Sequence, residues 1–392
     1  MTERKASITD RIYERDPSVK EFDCTVLSCK KTGKGYEIIL DRTAFFPTGG
    51  GQGCDTGSLN GIPVSDVFCR NGDVLHIISA PVEKGTKAIG VLDYNERLEK
   101  MEAHTAEHIL SSVLYKEYGL SNVGFHIGHA DVTCDFDKCL SWKELAFAED
   151  EVNRIIREDH PVYAIFPSKD ELCDISYRSK LDLEDDVRIV CIGENGSIDK
   201  CACCAPHVIS TGRIGLFKII DFYRYKGGMR IHILAGQRAL SRTRDEAMGI
   251  KKLSALLSAK PEPDSVISAV ERLNEENKSL SLSLSLANDM INSALCLTVT
   301  EGSDAVIFDT RTDTDALRRL CLAAKEKCGK TACVFGGDGG DYRFVLSGER
   351  ASDIFEALKT RFSARGGGKD IICGSVSASE NELRAVIESF AE

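Results

Sequence analysis

The chain has 392 residues, of which 42% are hydrophobic and 28% charged, a composition that indicates a globular protein of two to four domains. Its net charge of −11 argues against indiscriminate binding of polyanions, although it does not exclude a local basic face. The first five residues lead into no apolar segment, and we expect no later apolar run to reach the length needed to span a membrane. Because 16 cysteines without a signal peptide indicate a reducing compartment, we expect a cytoplasmic protein.

The first part of the chain, residues 1–93, is predicted to form a β-rich domain. Short runs rich in β-branched and aromatic residues are separated by Gly, Asn, Asp and Pro turns. This spacing is typical of a small β-barrel or a sandwich. The runs cover residues 25–29, 36–40, 62–68, 75–78 and 87–91.

A glycine-rich loop at residues 43–57 lies between these runs. Gly50 and Gly51 belong to three consecutive glycines, whose backbone can take positive φ and approach a ligand closely. It is not a Walker loop, because no Gly-Lys-Ser/Thr follows. A flexible hairpin tip is the simpler interpretation, whereas the flanking Thr43 and Gln52 favour a polar recognition loop.

A helix predicted over residues 95–118 carries the first half of a candidate metal site. Asn95 can cap this helix and Gly119 can end it. His104 and His108 are four residues apart, so they share one helical face at the edge of an apolar stripe. Glu107 is a candidate general base beside His108, but on a helix it points about 100° away.

The second half follows a β-rich run at residues 187–192. Cys203 and His207 are four residues apart after a turn, and together with the two helical histidines they offer three nitrogens and one sulfur, a donor set that suits zinc. Either half alone is weak, because a His-x3-His pair often binds nothing and a cysteine-rich turn is often inert. Cys201 and Cys204 flank Cys203, so spacing alone leaves the choice of sulfur open.

Residues 94–240 alternate helices and strands and are predicted to form one α+β domain that contains both halves of the site. Arg213 and Lys218 begin a stretch rich in Lys and Arg that extends to residue 252. This stretch is either a local basic face or an ordinary solvated surface. Predicted helices cover residues 142–158 and 169–177, predicted strands cover 131–137, 162–166, 217–223 and 229–234, and residues 123–128 are predicted to be a turn.

Residues 241–298 are predicted to be helical, with an interruption at Pro261 and Pro263. From Val266 to Ala294, apolar residues recur at alternating steps of four and three, which is a heptad seam with Asn277 at an a position. The seam predicts either a helical hairpin that folds back on residues 237–257 or a coiled coil between two chains. A homodimer through residues 264–294, or through the last domain, is therefore a hypothesis.

The last part of the chain, residues 299–392, is predicted to be a small α/β domain. Strands are expected at 305–308, 331–335, 342–346 and 371–376, with helices at 314–327 and 354–362 and a further helix at the end. Residues 364–369 form a Gly-rich basic turn in which Arg365 and Lys369 flank three glycines. Such a turn can contact phosphate, although more often it is only a turn.

Four motifs in this order resemble those of the free-standing alanyl-tRNA editing proteins of the long AlaX type, which are related to the editing domain of alanyl-tRNA synthetase. Residues 43–57 resemble the family's Thr-x-Phe-Tyr-Pro-x-Gly-Gly-Gly-Gln-x-x-Asp-x-Gly, and residues 104–108 its His-x3-His. Residues 203–215 resemble its Cys-x3-His-Val-x-x-Thr-Gly-Glu-Ile-Gly, and the glycines at 366–368 those of longer members. The chain departs from these patterns at Phe46, Glu107, Ala205, Pro206 and Arg213.

The resemblance implies a zinc-dependent hydrolase that removes a wrong amino acid from the alanine tRNA, with serine as the main substrate expected and glycine as the second candidate. It implies that zinc is held by His104, His108, Cys203 and His207. From their positions in the sequence, our catalytic candidates are His108 and Glu107, the residue beside it. We place the amino acid against Thr43, Gly50, Gly51, Gln52 and His126, and the tRNA against Arg213, Lys218, Arg365 and Lys369. Two alternatives remain: a zinc hydrolase of small esters, and a zinc-stabilised RNA-binding dimer without turnover.

Overall fold

A computed structural model of the chain describes residues 9–128, 131–179 and 187–390. The first five residues, which were predicted to lead into no apolar segment, lie outside the described residues. The chain divides into two compact units, Met1–Gly249 and Ile250–Glu392. Both units contain helices and sheets, which confirms the α+β multidomain class, while the finer division at residues 93, 240 and 298 stays a prediction.

The amino-terminal part of the first unit is a six-stranded closed barrel with the strand order β2-β3-β7-β6-β5-β8. Side chains alternate along the strands: in β8 the even positions 88, 90 and 92 are buried and the odd positions are exposed. Gly90 lies so close to the ring of Phe22 that a Cβ at this position would be 2.4 Å from the ring. Only a residue without a side chain therefore fits here. The elements are β1 (Asp10–Arg11), α1 (Ile12–Arg15), β2 (Glu21–Thr32), β3 (Gly35–Leu40), β4 (Arg42–Thr43), β5 (Gly57–Leu59), β6 (Ile62–Arg70), β7 (Asp73–Ile78) and β8 (Lys87–Leu92).

Helix α2 (Tyr94–Tyr118) leads from the barrel into the rest of the unit. Its cap is Asp93, whose side chain accepts from the Glu96 N–H, so the prediction of Asn95 as the cap is wrong by two residues. Gly119 ends the helix in the left-handed conformation, with φ of 63°. Every residue from 101 to 114 is buried, so the histidines lie inside the protein instead of at the edge of a stripe.

Two further sheets and helix α3 surround α2. A four-stranded sheet has the order β14-β15-β10-β9, and a three-stranded sheet has the order β11-β12-β13. The turn predicted at 123–128 is strand β9, and the cysteine-rich segment begins with strand β13. The elements are β9 (Asn122–Ile127), β10 (Val132–Phe136), α3 (Trp142–Glu158), β11 (Val162–Ile165), α4 (Lys169–Leu172), β12 (Ile189–Ile192), β13 (Asp199–Ala202), β14 (Phe217–Tyr225), β15 (Gly228–Ala235) and α5 (Gly236–Leu256).

The second unit contains a long helix and a five-stranded sheet with the order β16-β17-β18-β20-β19. The Gly-rich segment that was predicted to be a turn contains the edge strand β19, which pairs with β20. The elements are α6 (Pro263–Leu297), β16 (Ala305–Asp309), α7 (Thr314–Cys328), β17 (Ala332–Asp338), β18 (Asp341–Ser347), α8 (Ala351–Phe362), β19 (Arg365–Gly367), β20 (Ile371–Ser377) and α9 (Glu380–Glu388).

Helix α6 buries the first residue of the heptad seam, Val266, but farther along the helix it buries a different face. Its buried residues include Asn288 and Asn292, whose side chains bond to Arg311, whereas Leu280 and Leu284 of the seam are exposed.

By length and composition alone α6 could cross a membrane, so the expectation that no run is long enough is wrong. A single helix of this kind is weak evidence for a membrane, since helices of soluble proteins also meet this criterion.

Candidate functional site

Four side chains from the two halves of the predicted site meet inside the first unit. His104 and His108 come from α2, and Cys203 and His207 come from the segment after β13; their ligand atoms all lie within 4.8 Å of one another. Cys203 Sγ is 3.4 Å from His207 Nε2 and 3.7 Å from His104 Nε2. Among the described residues this group can hold a metal ion, and its sulfur is Cys203.

Two of the three histidines present Nε2 to the group because a neighbour accepts from Nδ1. Gln52 Oε1 lies 2.9 Å from His104 Nδ1. Thr105 Oγ1 donates to the Met101 carbonyl over 2.7 Å, so it accepts from His207 Nδ1, which is 3.1 Å away. A fixed Nδ1–H leaves the Nε2 lone pair free for a cation.

The third histidine has an anionic neighbour. His108 Nδ1 lies 3.4 Å from Asp199 Oδ2, and Arg178 donates to both oxygens of Asp199 over 2.8 and 2.7 Å. Burial raises the pKa of the Asp199 carboxyl, but the neighbouring His108 and the hydrogen bonds from Arg178 outweigh burial and hold the pKa below its ordinary value. Asp199 is therefore ionised beside His108.

Burial also determines the protonation of the ligand atoms. It holds the pKa of His207 well below its usual 6.5, and the neighbouring His108 and His104 lower it further, so the imidazole is neutral as a metal ligand requires. Burial, followed by the nearby Cys204, raises the pKa of the Cys203 thiol. A bound dication reverses that shift, because it stabilises the thiolate. Three imidazole nitrogens and one cysteine sulfur are a donor set that fits a tetrahedral zinc ion.

Glu107 lies beside the metal-ligating group, which consists of His104, His108, Cys203 and His207. Helical geometry had predicted that its side chain points away from His108. Its Oε2 is 3.9 Å from His108 Nε2. Its Oε1 accepts from Ser111 Oγ over 2.7 Å and from Asn122 Nδ2 over 2.6 Å. Ser111 is one turn along α2 and Asn122 begins β9, so packing of this strand against the helix orients the carboxylate. Sequence reasoning missed Asn122 because it begins a strand that was predicted to be a turn.

The glycine-rich loop docks on β9 and brings Gln52 to His104. Gly51 has φ of 83°, and a Cβ there would lie 2.3 Å from the Phe125 carbonyl oxygen, so only glycine fits this approach. The Gly51 carbonyl accepts from the Ile127 N–H over 2.9 Å. Gln52 is 1% exposed, and its amide Nε2 has no hydrogen-bond partner among the described residues. Gly50 precedes this contact and is exposed.

A buried ion pair attaches the same loop to α2. Arg97 donates to both carboxylate oxygens of Asp55, with Nε to Oδ1 at 2.9 Å. Arg97 Nη2 also donates to the Ala44 carbonyl over 2.5 Å, and Asp55 Oδ2 accepts from the Phe46 N–H over 2.5 Å. Sequence analysis did not find Arg97, since an arginine near the start of a helix carries no signal of burial.

Arg188 supports the turn that carries the sulfur. Its Nη1 donates to the carbonyls of Cys203 and Ala205 over 2.7 and 2.9 Å. Its Nε donates to the Glu14 carbonyl over 3.0 Å. Phe46, one of the departures from the family pattern, packs edge-on against the Tyr13 ring at 5.4 Å in a small apolar cluster with Ala205. These contacts fix the backbone around the second half of the site.

Thr43 is fully buried, and its hydroxyl is already bonded. Thr43 Oγ1 lies 2.8 Å from His76 Nε2 and accepts from the Phe45 N–H over 3.1 Å. His76 Nδ1 faces the Ile38 carbonyl at 3.3 Å, so Nδ1 carries the proton and Thr43 donates to Nε2. Burial lowers the pKa of His76 to about 4. Sequence analysis missed His76.

The remaining predicted residues lie elsewhere on the chain. His126 is exposed on β9, next to Phe125, whose ring packs on His104 at 4.6 Å. Successive side chains of a strand point to opposite faces, so the structure does not bring His126 to the group. Of the residues assigned to tRNA, Arg213, Arg365 and Lys369 are exposed, and Lys218 lies 3.5 Å from a glutamate carboxylate.

The sequence of this chain is similar to those of known proteins. Residues 187–232 match the model of the threonyl and alanyl tRNA synthetase second additional domain. The chain is 32% identical over 280 residues to the alanyl-tRNA editing protein AlaX-L of Pyrococcus horikoshii, covering 68% of this chain and 67% of that protein. It is 29% identical to the alanyl-tRNA editing protein Aarsd1 of Bos taurus, covering 68% and 63%. An alanine–tRNA ligase of Haloquadratum walsbyi is 29% identical over 98% of this chain and 44% of the ligase. The chain belongs to the family of alanyl-tRNA editing proteins.

Proposed function

We propose that this protein hydrolyses the ester that joins a wrong amino acid, serine or glycine, to the alanine tRNA. One observation carries the proposal: the metal-ligating group lies beside Gln52, a buried side chain whose amide donor has no partner among the described residues. The names of the relatives support an editing reaction on alanyl-tRNA. A deacylase needs a water nucleophile, a proton acceptor and a donor for the carbonyl oxygen.

Zinc is the proposed cofactor, held by the Nε2 atoms of His104, His108 and His207 and by Cys203 Sγ. These four ligands would complete a tetrahedral shell, so a zinc ion here would lower the pKa of water or polarise a carbonyl group only through an additional, fifth coordination position. Glu107 is the proposed proton acceptor, because Oε2 faces His108 Nε2 at 3.9 Å while Ser111 and Asn122 hold the other oxygen. The carboxylate takes a proton from the water that attacks the ester carbonyl and passes it to the ribose oxygen of the tRNA as the ester bond breaks.

Gln52 is the proposed donor to the ester carbonyl. Its Oε1 accepts from His104, and its amide NH2 is buried without a hydrogen-bond partner among the described residues, so the NH2 is available to a substrate oxygen. A buried donor without a partner is costly. This cost is relieved when an oxygen of the substrate accepts a hydrogen bond from the amide. The hydrogen bond is strongest in the transition state, where that oxygen becomes negatively charged.

Thr43 is the proposed determinant of selectivity. Its hydroxyl donates to His76 and accepts from the Phe45 N–H, so one acceptor position is left. A serine hydroxyl can donate to that position, whereas alanine leaves it unpaired; such differences discriminate strongly between substrates. Gly50 and Gly51 complete the proposed pocket, because their backbone brings the loop against β9.

The proposed partner is mischarged alanine tRNA in the cytoplasm. Arg213 and Lys218 in the first unit, and Arg365 and Lys369 in the second, are proposed to contact its phosphates. The exposed Leu280 and Leu284 of α6 support the hypothesis of a homodimer through the heptad seam.

The decisive experiment measures release of labelled amino acid from seryl-, glycyl- and alanyl-esters of the alanine tRNA. It uses the protein as purified, after chelation, and with His108→Ala; His160→Ala is the matched control, because His160 is a partly exposed histidine paired with Glu158 outside the metal-ligating group. We expect metal-dependent loss of the seryl or glycyl ester, sparing of the alanyl ester, and loss of activity only in His108→Ala.

Two outcomes would redirect the proposal. Folded, zinc-loaded protein that releases none of the three amino acids would favour the RNA-binding dimer. Equally fast cleavage of free amino-acid esters, with no dependence on salt, would favour a small-ester hydrolase, since tRNA contacts weaken as salt rises.

A further inference from the structure

The carboxylate behind His108 distinguishes this histidine from the other two metal-ligating histidines. We infer that Asp199, held by Arg178, is a positioning residue that directs His108 Nε2 at the metal and strengthens metal binding. This inference rests on the proposed metal site and not on the proposed reaction.

The position of Asp199 determines which nitrogen of His108 is available. His108 is 3% exposed, and its Nδ1 has no well-aligned hydrogen bond among the described residues. The carboxylate oxygen Asp199 Oδ2 nevertheless lies only 3.4 Å away. A small rotation of the imidazole aligns Nδ1–H with that oxygen, and Nε2 is then the only free lone pair of the ring.

Arg178 holds Asp199 and connects the two halves of the site. Its guanidinium forms a two-pronged contact with Asp199 and donates to the His108 carbonyl over 3.3 Å. Its backbone N–H donates to the Lys200 carbonyl, and its carbonyl accepts from the Ala202 N–H, both over 2.8 Å. Helix α2 and strand β13 are therefore fixed to each other through one residue, and the buried carboxylate has a compensating charge.

The charge of Asp199 adds to its geometric effect. His104 and His207 have neutral acceptors behind them, the amide oxygen of Gln52 and the hydroxyl of Thr105. A carboxylate acceptor increases the electron density of the imidazole more than a neutral acceptor does, which makes Nε2 a stronger donor to a cation. His108 is thus expected to be the strongest nitrogen ligand of the three.

A second cation between His108, Asp199 and Cys201 is the competing interpretation, because their ligand atoms also lie within 4.8 Å of one another. Arg178 argues against it: its nitrogens contact both oxygens of Asp199 within 2.8 Å. A dication at those oxygens would be repelled by the guanidinium at close range. We therefore expect one metal ion per chain, on the Nε2 side of His108.

The test compares Asp199→Asn with Asp135→Asn in the full chain. Asp135 is the matched control, because Arg230 contacts both of its oxygens over 2.6 and 2.8 Å in the same unit. Zinc content is measured, zinc affinity is determined by competition with a chromophoric chelator, and the absorption spectrum of the cobalt(II)-loaded protein is recorded. We expect Asp199→Asn to bind zinc about 10- to 100-fold more weakly and to shift the cobalt bands, and the control to leave both unchanged.

The inference is overturned if folded Asp199→Asn keeps the affinity and cobalt spectrum of the parent, or if the parent binds two zinc ions. If circular dichroism shows that Asp199→Asn does not fold, Arg178→Lys takes its place. That variant keeps the positive charge and loses the two-pronged contact, so we expect weaker zinc binding, and unchanged affinity would likewise overturn the inference. Because no readout depends on deacylation, failure of the proposed function would leave this result interpretable.

Discussion

The buried ion pair between Arg97 and Asp55 holds the glycine-rich loop, and its contribution to the unfolding free energy can be predicted. The two side chains are 0% and 1% exposed, and Arg97 has further acceptors at the Ala44 and Pro17 carbonyls. Asp55→Asn removes the negative charge and leaves the guanidinium buried without compensation. Breaking a buried pair in this way costs about 3–5 kcal/mol of unfolding free energy.

Urea unfolding of the full chain measures this cost. The fluorescence of the single tryptophan, Trp142, monitors the unfolding. Trp142 belongs to the first unit and stacks on Phe222 with ring centroids 5.7 Å apart, so its signal reports that unit. Glu37→Gln is the matched control, because Glu37 makes an exposed two-pronged contact with Arg70 in the same barrel. We expect little change in the control, since solvent screens exposed pairs.

Equal effects of Asp55→Asn and Glu37→Gln would refute the reasoning, because burial would then not decide the energy of the pair. A large loss of stability in Asp55→Asn alone would confirm it. In that case the Asp55→Asn protein should also bind substrate poorly under conditions where it is folded, since the loop that Asp55 anchors carries Gln52 to His104.

Four further predictions concern single side chains. Glu107→Gln should lower the deacylation rate about 10²- to 10⁴-fold while zinc content stays unchanged; a fully active variant would remove Glu107 as the proton acceptor. Thr43→Val should raise hydrolysis of the alanyl ester relative to the seryl ester, and an unchanged ratio would exclude Thr43 from selectivity. His76 has a folded-state pKa of about 4, below the unfolded value of about 6.5, so the unfolded chain binds a proton first as pH falls. Unfolding free energy should therefore decrease by about 3 kcal/mol between pH 6.5 and 4, and His76→Gln should lack this part of the pH dependence; the same pH profile in both proteins would contradict a buried neutral imidazole. Leu284→Glu should shift a homodimer toward monomer in analytical ultracentrifugation if the exposed seam of α6 pairs two chains, whereas a monomeric parent protein would exclude that pairing.

Local patterns were enough to predict much of this protein. Helix α3 has the bounds predicted from its sequence, 142–158, because a capping box of Ser141 and Glu144 marks its start. The barrel strands follow from alternating burial and turn residues, except β5, whose Gly-Ser-Leu sequence carries little β signal. Strand β9 was predicted to be a turn, because two glycines hide a segment whose pairing partner, β10, supplies its stability.

The four side chains that can hold a metal ion could be found in the sequence because each half is local. A separation of four residues on a helix, or across a turn, sets their geometry without reference to the rest of the chain. Their neighbours could not be predicted in this way. Gln52 meets His104 across 52 positions and Arg178 meets the His108 carbonyl across 70, and such contacts exist only once the barrel, α2 and β13 are packed together.

The sequence by itself determined the family motifs, the α+β class and the two halves of the metal-ligating group. Only the tertiary structure decided which atoms surround that group. Glu107 Oε2 lies near it, Asp199 lies behind His108, and the Gln52 amide donor is buried without a partner among the described residues. Spacing along one helix or turn fixes local direction, whereas burial, charge compensation and hydrogen bonding depend on segments that meet only on folding.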